Sequence, residues 1–108
     1  MENYYLPEIY PIGQKHVESW LNINGYFDIS KELIQPNDYG FVAKGSNECL
    51  LVQIRTFLHP QRPFKLSDFE MVALAGKADK LGLVAYVAYV IVNAENNLSR
   101  EIIWERLS

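Results

Sequence analysis

Asp38, Gln53 and Arg55 are an acid, an amide and a cation carried on two neighbouring apolar runs. The runs, Tyr39 to Ala43 and Cys49 to Phe57, flank Gly45-Ser46-Asn47. Glycine and asparagine accept the positive φ that a tight hairpin turn demands, so the runs read as the two arms of a β-hairpin. Asp38 stands at the mouth of the first arm. Gln53 and Arg55 are two residues apart on the second and share a face. The three side chains therefore converge near one end of a sheet. That is a layout for metal-dependent hydrolysis of a phosphodiester. Oxygen ligands hold a dication such as magnesium, which neutralises phosphoryl charge and makes a nucleophile from bound water.

Each residue carries a second reading. Asp38 follows Pro36-Asn37, which is favoured turn chemistry. Gln53 lies inside Leu50-Leu51-Val52-Gln53-Ile54, where a buried amide needs partners to offset its desolvation. A cation supplies one partner and a structural hydrogen bond another. As a metal ligand it is weaker than a carboxylate. Two unit charges 4 Å apart attract by about 4 kcal/mol at an effective dielectric of ~20, and a dication gains about twice that from a carboxylate. Arg55 stays protonated near neutral pH and can clamp a phosphate through two parallel hydrogen bonds. It can equally pair with an acid. Between Lys44 and Lys65 lie four cations (Lys44, Arg55, Arg62, Lys65) and one acid, Glu48, so this stretch is +3 and the rest of the chain −6. Such a local patch suits phosphate contacts better than the overall charge of −3 suggests. His59, in Leu-His-Pro, is a further base or phosphate ligand if it is not simply solvated.

The elements that must position these residues follow from periodicity. Residues 1–11 hold three tyrosines and two prolines and read as an extended arm. From Gly13, Val17, Trp20 and Leu21 recur at helical spacing, and Gly25 supplies a left-handed cap. Tyr26 to Ile29 makes a short strand, and Ser30 to Asn37 is a polar connection. After the hairpin, Leu58 to Lys65 is a loop with two prolines. Ser67 and Glu70 form a capping box, opening a helix whose buried face is Met71, Leu74, Ala75, Ala78 and Leu81, with Gly82 closing it. Leu83 to Val92 is a strand apolar on both faces, the mark of a central strand. The last segment fits a helix from Asn97, with Leu98, Ile102, Ile103 and Leu107 on one face. It also fits an edge strand with Ile102 and Trp104 inward. The helix is the favoured reading. The order implies an α/β protein with a mixed, mainly four-stranded sheet flanked by helices.

The pattern resembles the PD-(D/E)xK nuclease superfamily, which includes restriction endonucleases and Holliday-junction resolvases. Its motif is an Asp on one strand and Glu/Asp/Gln-x-Lys on the next, often with a Glu on the preceding helix. Asp38, Gln53, Arg55 and Glu18 fall at those positions. The resemblance spans roughly Gly13 to Val92. It implies a restriction endonuclease-like domain over residues 1–108 with an α-β-β-β-α-β core. It also implies magnesium held by Asp38, Gln53 and Glu18, if the site is active, and catalysis by Asp38, Gln53 and Arg55. Phosphate contacts then fall to Arg55, Lys44, Arg62 and Lys65. Gln53-x-Arg55 in place of Glu-x-Lys makes the chain a DNA-associated protein that is weakly active or inactive. An active endonuclease or resolvase is the first alternative. The second is a protein-interaction module with no nucleic-acid role, using the tyrosine arm and strand edges.

Bulk properties bound the rest. One hundred and eight residues with 49% hydrophobic and 21% charged content suit one soluble domain. No apolar run is long enough to span a bilayer. Met-Glu-Asn-Tyr-Tyr lacks the basic start and apolar core of a signal peptide, and the single cysteine, Cys49, excludes an internal disulfide. A cytoplasmic setting is expected. So is a homodimer, since two symmetric copies most simply engage both strands of a duplex.

Overall fold

In the computed structural model, which describes residues 9–36 and 38–107, the elements run in the order α1 (Ile9–Ile23), β1 (Phe27–Gln35), β2 (Asp38–Lys44), β3 (Cys49–Leu58), α2 (Asp68–Leu81), β4 (Val84–Val92) and β5 (Ile103–Arg106). The strands form one sheet in sequence order. β1, β2 and β3 are joined antiparallel, β3 and β4 are parallel through the α2 crossover, and β5 returns antiparallel to β4. β3 is thus the middle strand, flanked by β2 and β4.

Alternation along β3 feeds two cores. Leu50, Val52 and Ile54 point to the face covered by α1, where Val17 and Leu21 are fully buried. Leu51 and Phe57 point to the opposite face, under Leu74 and Ala78 of α2. Gln53 and Arg55 share that second face by the same period of two. α2 is fixed as its sequence dictates. Ser67 accepts from the Glu70 backbone N–H at 3.1 Å, Glu70 Oε1 accepts from the Ser67 N–H at 2.8 Å, and Gly82 closes the helix in the left-handed region at φ 70°. α1 comes close to β3 at Gly13. A Cβ there would lie 1.9 Å from Thr56 Oγ1, so glycine sets the distance between helix and sheet.

Several expectations need correcting. The sheet has five strands rather than four. α1 starts at Ile9, one turn before Gly13, with Pro11 in the first turn where a missing N–H costs nothing. Of the expected arm, residues 1–8 lie outside the described residues. β1 extends to Gln35, because a polar edge strand needs no apolar alternation. Leu81, assigned to the buried face of α2, is 45% exposed. Residues 103–106 are a strand and not a helix. The Asn97 signal is absorbed by a turn in which Asn93 Oδ1 accepts from the N–H groups of Glu95 and Asn97. Ile102 and Trp104 then pack on the α1 side. Trp104 meets Trp20 with ring centroids 4.6 Å apart and Tyr86 edge-on at 6.2 Å.

Candidate functional site

The site lies where two strands part. The β2–β3 ladder runs from Lys44↔Cys49 to Gly40↔Gln53 and stops, whereas β3 stays paired with β4 as far as Leu58↔Val92. Tyr39 and Asp38 leave β3 and remain with β1, opposite Leu33 and Gln35. Gly40 stands at the fork. A Cβ on it would meet the Val52 carbonyl oxygen at 2.2 Å and Ile34 Cδ1 at 2.7 Å. The fork opens a cavity of ≈ 380 Å³, walled by Tyr10 and Gln14 from α1, Asp38 and Arg55 from the parted strands, and Glu70 from α2.

The side chains are tied together. Gln53 is fully buried, and its Nε2 donates to Asp38 Oδ2 at 2.6 Å. An ionised carboxylate only accepts, so the amide must present its nitrogen and its oxygen must point away. Gln53 Oε1 is therefore buried without a hydrogen-bond partner. The Arg55 guanidinium donates to Asp38 Oδ1 and Oδ2 at 3.4 and 3.1 Å, and to Glu70 Oε2 at 2.8 Å. Burial alone would lower its pKa. The hydrogen bonds and charges of Asp38 and Glu70 overcome that and raise it above its ordinary value. Arg55 is a locked cation.

Glu70 is the member that sequence reading assigned to the helix cap alone. A carboxylate has two oxygens: Oε1 serves the cap and Oε2 serves Arg55. The Ser67 backbone N–H, chiefly, holds its pKa below the usual 4.5; burial opposes this and Arg55 adds to it. With the folded value below the unfolded one, the unfolded chain binds more protons as pH falls through this range. The stabilisation is full above the ordinary carboxylate pKa and is lost as pH drops through the folded value. Urea unfolding from neutral pH into the acid range should show that loss. Glu70→Gln should flatten it, because the group that titrates is then gone. An equally steep profile in the variant would assign the loss to other carboxylates.

The solved structure of Hjc, a Holliday junction resolvase from the archaeal hyperthermophile Archaeoglobus fulgidus, superposes with a TM-score of 0.66. The match covers 88% of this chain and 70% of that one, at 18% sequence identity. The chain has the restriction endonuclease-like fold. No protein-family model and no curated protein matches the sequence.

On this restriction endonuclease-like frame, Asp38, Gln53 and Arg55 come together and the other expected site residues do not. Glu18 is exposed. It lies on the ridge Tyr10–Gln14–Glu18, but the cavity takes the first two, and Glu18 sits one turn, about 6 Å, farther along. Lys44 ends β2 at its far end, about 20 Å of strand from Asp38, and pairs with Asp28 at 3.5 Å. Lys65 pairs with Glu105 at 3.0 Å. Arg62 and His59 are exposed on the β3–α2 loop. The +3 stretch is therefore dispersed over both ends of the sheet. Glu70 left a trace in sequence as the capping-box acid, whereas nothing in the pattern distinguished Gln14 from its neighbours.

The donor set does not fit a dication as arranged. All four carboxylate oxygens of Asp38 and Glu70 already accept hydrogen bonds, three of them from the Arg55 guanidinium. A positive group bonded to both acids repels a second cation, and every carboxylate oxygen that cation would use is already engaged by a hydrogen bond. No cluster of three or more His, Cys, Asp or Glu able to hold a metal occurs among the described residues.

Proposed function

We propose that the chain is a DNA-associated protein of nuclease fold whose hydrolytic site is degenerate, with Arg55 held where an active relative would place a metal ion. The observation that carries this reading is the double pairing of Arg55 with Asp38 and Glu70. The likeness to a resolvase fold supports the DNA association. With two acids and one cation, the cavity wall is net negative, so Arg55 serves as an internal counter-ion and is a poor clamp for phosphate. A working magnesium-dependent endonuclease is the second reading, favoured by one feature. Gln53 Oε1, buried and unpartnered, is an oxygen donor of the kind hard cations take. In either case a homodimer in the cytoplasm is the proposed form, and sedimentation as a monomer at micromolar concentration would count against the assembly.

One experiment separates the two readings. Wild type should bind duplex or branched DNA with an affinity that falls as salt rises, and should not cut it with magnesium or manganese. Gln53→Glu combined with Arg55→Lys replaces the fork-shaped cation with a compact one and adds a carboxylate. Its magnesium affinity, followed by calorimetry, should exceed that of wild type by at least about tenfold, a difference of ~1.4 kcal/mol. Cleavage by wild type that is lost in Asp38→Ala would establish the second reading instead. Absence of DNA binding would remove both.

A further inference from the structure

Four arginines occur in the chain, and their partners divide them cleanly. Arg55 and Arg106 make ion pairs with carboxylates. Arg62 and Arg100 have no carboxylate partner among the described residues, and both line one groove of ≈ 440 Å³. The groove lies between the β3–α2 loop and the β4–β5 loop, beyond the carboxyl ends of the parallel strands β3 and β4. His59, Gln61 and Ser99 add side chains able to donate hydrogen bonds, and buried Ile91 contributes an apolar patch to the wall. Among the described residues, no aspartate or glutamate lines it.

In a protein of net charge −3, two uncompensated guanidinium groups facing one concavity make a local positive potential. Guanidinium forks match the paired oxygens of a phosphate, and an apolar wall strengthens the attraction by excluding water. The acid-lined cavity at Asp38 has the opposite polarity. His59 lies four residues beyond Arg55 along the chain, a span of about 13 Å if extended. A nucleic-acid strand can reach both places.

We propose that the groove of Arg62, Arg100, His59 and Ser99 is a phosphate-binding site that takes a backbone phosphate of DNA, separate from the Asp38–Gln53–Arg55–Glu70 cluster. The DNA occupant rests on the DNA-associated reading above, whereas the phosphate chemistry does not. Two measurements on the full chain test them separately. In a titration with inorganic pyrophosphate followed by NMR, the side-chain Nε–H signals of Arg62 and Arg100 and the Ser99 amide should shift and saturate. The Arg55 signal should stay still, and the double variant Arg62→Ala, Arg100→Ala should not respond at Ser99. Absence of saturable shifts in wild type overturns the groove as a phosphate site. In DNA binding at several salt concentrations, the double variant should lose about one unit of the slope of log K against log salt, the share of one phosphate contact. An unchanged slope in a wild-type-like complex overturns DNA as the occupant. If wild type binds no DNA, the DNA-associated reading and this occupant fall together, and the pyrophosphate titration alone decides the groove. Both substituted residues are exposed, so the variant should unfold at the wild-type midpoint.

Discussion

Replacing Arg55 with methionine is expected to destabilise the protein by about 2–3 kcal/mol at neutral pH. The substitution keeps most of the side-chain volume but leaves the Asp38 and Glu70 carboxylates facing one another without their shared cation. Fully buried pairs cost more when broken. Here the two acids remain 24% and 32% exposed, so water recovers part of the loss. The signature is its pH dependence. Well into the acid range, where Glu70 takes up its proton, its repulsion with Asp38 fades, and the variant should approach wild type. Urea unfolding at neutral and at acid pH measures this. A loss of equal size at both would mean that Arg55 acts through its methylene packing and not through charge.

Gly40→Ala should be at least as damaging, at about 3 kcal/mol or more, for a steric reason. The new methyl group would meet a backbone carbonyl, Val52 O, 2.2 Å away, and backbone cannot swing aside as a side chain does. Relief requires β2 to move off β3 at the fork, which also pulls Asp38 from Gln53. Gly76→Ala gives the internal contrast. Its Cβ meets nothing within 4 Å on the exposed side of α2, so alanine there should stabilise by about 0.5–1 kcal/mol. Denaturant midpoints should move in opposite directions. Similar shifts in both variants would show that the fork is more forgiving than its geometry indicates.

What could be read from the sequence was whatever local chemistry decides. The hairpin, the capping box of Ser67 and Glu70, and the doubly apolar β4 each have causes within a few residues, and each is present, although neither Gly45 nor Asn47 adopts the positive φ expected of the turn. The convergence of Asp38 with Gln53 and Arg55 follows from strand alternation plus one turn. Features set by distant partners were hidden. β1 looks like a loop because an edge strand can be polar. β5 looks like a helix because Ile102 and Trp104 gain their period of two only against β4 and α1. Glu70 seemed fully explained by its cap, and only the tertiary approach of Arg55 occupies its second oxygen. The choice of Gln14 over Glu18 depends on where α1 crosses the sheet, which Gly13 against Thr56 fixes and no helical pattern encodes.

The contact of Trp20 with Trp104 gives the molecule an optical property. These are the only two tryptophans, and they sit on α1 and β5, elements near opposite ends of the chain. At 4.6 Å and 44° the two indoles are close enough for their excited states to mix. The tryptophan emission and the indole dichroism are therefore gauges of a single seam, the docking of the last strand beside the first helix. They remain largely silent about the fork between β2 and β3, where the chemistry of the site resides.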